Sequence, residues 1–180
     1  MKTIEEIVRK AHDSLLSSVT PNPYSDFFKL SGSNFMLKKE FKQISYFDPR
    51  ESFSEMGSIA TLDKNEDTFV MRFFIYENRF GAECDNENKV HSFDLKNQPN
   101  KNSEQEKILF YKFILLHEFK HFLQLLSGEL TYEFIKSPES QVTRYEDRRY
   151  EKEADQFASI TLREELLACP TVAKKLRVNI

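Results

Sequence analysis

The run from Ser103 to Gly128 constrains this 180-residue chain more than any other stretch. Ser103-Glu104-Gln105-Glu106 is a capping box, in which the serine and the second glutamate satisfy the first free N–H groups of a helix. Ser127-Gly128 marks its end, because glycine takes the left-handed conformation that closes a helix without a Cβ clash. Between them Phe110, Phe113, Ile114, His117, His121 and Leu125 recur at steps of three or four, so both histidines share a stripe otherwise made of core residues. The sequence around them reads His117-Glu118-Phe119-Lys120-His121. Helical residues four apart lie about 6 Å along the axis on one face, which lets two imidazoles reach a single ion with Glu118 beside them. The competing explanation is a buried histidine pair held by hydrogen bonds alone.

A catalytic metal site of this type needs a third protein ligand and keeps a fourth position open. Glu151, Ala154, Asp155, Ala158 and Leu162 share one face of a second helical run. Two carboxylates in a stripe with small alanines are costly to bury without a cation or donor opposite them. The alanines would also allow close approach to the first helix. Taken alone, Glu151 and Asp155 would equally suit a solvated face, with Arg148, Arg149 and Lys152 as surface partners.

His117-Glu118-x-x-His121, followed by Glu151-x-x-Ala154-Asp155-x-Phe157-Ala158, resembles the ImmA/IrrE family of zinc metallopeptidases. Leu166-Leu167-Ala168-Cys169-Pro170 is similar to the ending of that family's last helix. The resemblance spans roughly Gly57 to Leu167. It implies that His117, His121 and Glu151 hold one zinc ion and that Glu118 is the catalytic base. By analogy with the wider ExxAD metallopeptidases, it makes Asp155 the acceptor that fixes a ligand histidine. Lys120 stands where the family usually carries glycine, and Leu116 where a small residue is common. Neither departure removes a ligand.

The remaining chain reads as supporting structure. Thr3-Ile4-Glu5-Glu6 is another capping box, and Ile4, Ile7, Val8, Ala11 and Leu15 form an amphipathic stripe that ends by Pro21-Asn22-Pro23. His12 falls beside that stripe as a boundary residue. From Tyr24 to Glu55 the pattern predicts loops with one or two short elements. Gly57–Leu62 and Thr68–Tyr76, joined by a polar five-residue link, suit a hairpin, and Val90–Leu95 alternates as a further strand with His91 on its polar phase. A last helix is expected over Tyr145–Leu167, stopping before Pro170. The expected fold is α+β: a small antiparallel or mixed sheet packed on the central HExxH helix and on a C-terminal ligand-bearing helix, zincin-like, in a single domain over residues 1–180.

The net charge of −3 argues against a general nucleic-acid binder. No signal peptide or spanning segment is evident, and Lys112 interrupts the most apolar run, around Leu109–Leu116. Cys84 and Cys169 are too few for a disulfide framework and fit a reducing, cytoplasmic setting. The expected activity is zinc-assisted peptide hydrolysis of a protein substrate, with Tyr132, Tyr145, Tyr150 and His91 as open candidates for the oxyanion stabiliser, and a sheet edge as a substrate cradle. The resemblance points to a helix-turn-helix repressor as that substrate, with no direct nucleic-acid contact and no membrane. The alternative is a zinc-bound regulatory or interaction protein with little peptidase activity.

Overall fold

Helices are where this sequence commits its apolar side chains. The computed structural model describes the backbone of residues 4–20, 22–31, 40–45, 57–61, 68–73, 79–84, 90–94, 103–135, 137 and 148–178, and side chains over 6–20, 22–27, 103–135, 137 and 148–178. Helix α1 (Ile4–Leu16) turns Ile7, Val8, Ala11 and Leu15 inward as its stripe predicts, against the central helix. Its capping box at Thr3 lies outside the described residues. Helix α2 (Pro23–Ser31) starts where the prolines were expected only to end α1. Asn22 Oδ1 accepts the Ser25 amide proton at 2.9 Å, a side-chain cap, and Pro23 occupies the first turn, where its missing N–H is harmless.

Helix α3 (Glu104–Ser127) is buried on nearly every side along its middle, as befits a helix that forms the core rather than covering it. Its ends follow the sequence. Ser103 Oγ accepts from the Glu106 amide at 3.1 Å, Glu106 Oε2 accepts from the Ser103 amide at 2.7 Å, and Gly128 sits at φ 77°. Tyr24 and Phe27 from α2 meet Phe119 edge-on at 5.2 and 5.3 Å. Lys112, the interruption in the apolar run, is buried yet bonded to both carboxylate oxygens of Glu165 at 2.8 and 2.9 Å. Among the described residues no helix is long and apolar enough to cross a membrane.

Helix α4 (Tyr132–Ile135) is a single turn. Helix α5 (Arg149–Thr161) lies against α3 through Ala154 and Ala158, both with no exposed surface. The single helix expected over Tyr145–Leu167 is corrected in its length. α5 ends at Thr161 with Leu162 as its cap, and α6 (Arg163–Ala168) and α7 (Pro170–Lys175) follow as separate short helices. Ser159 Oγ and Thr161 Oγ1 donate to the carbonyls of Asp155 and Phe157 at 2.6 and 2.8 Å, and such back-bonding bends a helix in its last turn. Pro170 does more than stop a helix; it begins the next one.

The α+β expectation is also corrected. Of the residues whose side chains are described, 80% are helical and none lies in a strand, so the buried side chains described around the site come from helices and the turns between them. Strand pairing occurs in the backbone, where β2 (Gly57–Thr61) and β3 (Thr68–Phe73) form the anticipated antiparallel hairpin and β1 (Glu40–Ser45) runs parallel to β3. A separate pair, β4 (Arg79–Cys84) and β5 (Val90–Asp94), is antiparallel. Alternating apolar residues signal a strand locally, but they do not say which layer fills the core.

Candidate metal centre

Two helices build the site. His117 and His121 stand one turn apart on α3, and Glu151 lies in the first turn of α5, where the helix dipole favours a carboxylate. The alanine stripe brings the helices close enough for these side chains to converge. His117 Nε2 and His121 Nε2 are 3.0 Å apart, and each is 3.1 Å from the same oxygen, Glu151 Oε2. Ligand atoms about 2.0–2.1 Å from a tetrahedral ion stand about 3.3–3.4 Å from one another, so this triangle has nearly the edge length of one face of a metal site.

The outer ring nitrogens decide what the inner ones can be. His117 Nδ1 lies 2.8 Å from Asp155 Oδ1, an ionised acceptor, so Nδ1 carries a proton and donates it. His121 Nδ1 lies 2.9 Å from Gln124 Oε1, an amide oxygen that can only accept, so it too is a donor. With both rings neutral, as metal binding requires, each Nε2 is then a lone pair. Three lone-pair atoms thus face a common point within 3.1 Å, an arrangement that needs a cation to offset its repulsion. The group His117, His121 and Glu151 could therefore hold a metal ion.

The electrostatics agree. Burial alone would lower the His117 pKa, but hydrogen bonds to Asp155 and Glu151, with the charges of Glu118 and Glu151, raise it to about 10. Burial would likewise raise Glu151, yet the hydrogen bonds from His117 and His121 hold its carboxyl well below the usual range. Without a metal, a proton takes the place of the cation.

Every proposed site residue with a described side chain lies at or beside this point. Glu118 is buried on α3 next to His117, with its charge acting on that ring, though its carboxylate is not one of the three converging donors. Asp155 reaches His117 from α5 through the 2.8 Å contact with Nδ1. Of the oxyanion candidates, Tyr132 is buried on α4 and Tyr150 precedes Glu151, with its ring against Phe134 at 5.5 Å. The side chains of Tyr145 and His91 lie outside the described residues. His12 is half-buried and bonds Tyr24 through Nδ1, and it is not one of the converging trio. The residue that the sequence did not disclose is Gln124, fully buried three positions after His121.

Comparison of the chain with protein-family models, with curated proteins and with solved structures returned no match. The resemblance to the ImmA/IrrE family stands on the two motifs quoted above.

Proposed function

We propose that this protein is a zinc-dependent metallopeptidase of the ImmA/IrrE type, cutting a peptide bond in a cytoplasmic regulatory protein such as a helix-turn-helix repressor. The observation that carries the proposal is the convergence of His117 Nε2, His121 Nε2 and Glu151 Oε2 beside a buried glutamate. Two imidazoles and one carboxylate suit zinc, and three protein donors leave room for water, as catalytic rather than structural sites do. Zinc held by these residues would acidify a water and polarise a peptide carbonyl. Glu118 would take the proton of the attacking water on its carboxylate and return it to the leaving amine nitrogen. Asp155 would hold His117 in its Nδ1–H form through that chemistry.

Co-expression with candidate helix-turn-helix regulators provides the test. Cleavage by the wild type that disappears in Glu118→Gln, while zinc remains bound, is the expected result. Undiminished cleavage in that variant would rule out the assigned base. A Glu118→Gln protein that cuts nothing but keeps full biological activity would instead identify a zinc-bound regulator that acts by binding.

A further inference from the structure

A chain of side chains leads from the metal centre to the surface of α5, and neither motif contains its middle. Gln124 has no exposed surface, so no water can replace a partner that it loses. Its Nε2 donates to Glu153 Oε2 at 3.0 Å and lies 3.4 Å from the carbonyl oxygen of Tyr150. Both of those groups are acceptors only. Flipping the amide would press its oxygen against a carboxylate and a backbone carbonyl, and would turn its NH2 group towards His121. The amide therefore has one tenable orientation, with Oε1 towards His121 Nδ1 at 2.9 Å. Glu153 is held in turn: its Oε1 accepts from Arg149 Nε at 2.7 Å, and the arginine side chain is 76% exposed.

We propose that Gln124 is the positioning residue for the second histidine ligand, locking His121 in the Nδ1–H form with Nε2 towards the metal, and that Glu153, braced by Arg149, sets the amide that does so. The proposal rests on the metal-centre reading. It makes the two histidines unequal. His117 is oriented by a carboxylate, a strong acceptor, whereas His121 is oriented by a neutral amide that is itself oriented by a carboxylate from the facing helix. Because Glu153 belongs to the helix that supplies Glu151, docking of α5 delivers the third ligand and sets the second one together.

The test is zinc ion titrated against a competing chelator, with metal affinity rather than activity as the readout. Gln124→Met keeps the volume and removes the side-chain hydrogen bonds to His121, Glu153 and Tyr150, and should weaken zinc binding about 10–100-fold. The paired exchange Gln124→Glu with Glu153→Gln keeps the net charge, an acceptor facing His121 and an unbroken donor–acceptor chain to Arg149. It should recover part of the affinity lost in Gln124→Met, the carboxylate oxygen now set against the Tyr150 carbonyl limiting the recovery. A Gln124→Met protein that binds zinc as tightly as wild type overturns the role, as does a folded paired variant no better than the single one. Wild type that takes up no zinc overturns the centre and this role together. In the wild type, nitrogen NMR of the zinc-loaded protein should find His121 Nδ1 protonated and slow to exchange. A freely exchanging Nδ1 proton also overturns the role, even if Gln124→Met fails to fold.

Discussion

At His117 and His121 the decisive atoms are the ring nitrogens that face away from the centre, because they determine which tautomer presents a lone pair. Asp155→Ala should therefore weaken zinc binding about 10–100-fold while leaving all three ligands in place, a loss that chelator competition would measure. Asp155→Asn should lose less, since an amide oxygen can still accept from Nδ1. His12 offers a separate pH test at a residue outside the metal trio. Burial lowers its pKa below the ordinary 6.5, outweighing the charge of Asp13. The folded protein then binds that proton less readily than the unfolded chain. Its contribution to stability is complete above pH 6.5 and is lost as pH falls through 6.5 towards the lower folded value. Denaturant titrations at several pH values should show a weaker acid-side decline for His12→Gln than for wild type. Equal slopes would mean that His12 does not titrate differently on folding. Of this residue-scale detail, the i, i+4 histidines and the Glu151–Asp155 face were legible because both are intrahelical spacings. Gln124 was not, since its role depends on Glu153, which becomes its neighbour only when α5 docks on α3.

Among the elements, α5 carries the largest consequence for its size. Ala154 and Ala158 have no exposed surface and keep the two ligand-bearing helices close. Ala154→Leu should cost about 1–3 kcal/mol through overpacking. By displacing Glu151 from the histidines it should also reduce zinc affinity, even though it touches no donor. A destabilised variant with unchanged affinity would show that the helix spacing is not what seats the ligand. At the end of α3, Gly128 stands at φ 77° with open space where a Cβ would project. Gly128→Ala should thus cost about 1–2 kcal/mol from backbone conformation alone, and urea unfolding would measure it. The boundaries of α3 could be read because caps are local chemistry: a serine, a glutamate three residues on, and a glycine. The break at Leu162 could not, because no proline or glycine marks it and Ser159 and Thr161 are also common inside unbroken helices. Strand segments were recognisable for the same local reason, but alternation within one run does not record how strands pair or that β2 meets α3.

For the molecule as a whole, the metal would act as a tie between α3 and α5, and so between the two motifs. Binding free energy of this kind is also folding free energy. Zinc at a hundred times its dissociation constant would add about 2.7 kcal/mol, which for a chain of this length corresponds to about 5–10 °C in Tm. A chelator should remove that increment, and added zinc should restore it. Two attachments hold the C-terminal helices to α3 without metal: Lys112 with Glu165 on α6, and Glu106 with Thr171 on α7 at 2.7 Å. They give physical grounds for expecting a folded metal-free protein rather than collapse. The most direct test of the account is the zinc content and zinc affinity of the purified wild type beside Glu151→Ala. The account predicts one tightly held ion per chain in the wild type and markedly weakened binding in a variant that remains helical. Wild type without stoichiometric metal, or a Glu151→Ala protein of unchanged affinity, would contradict it.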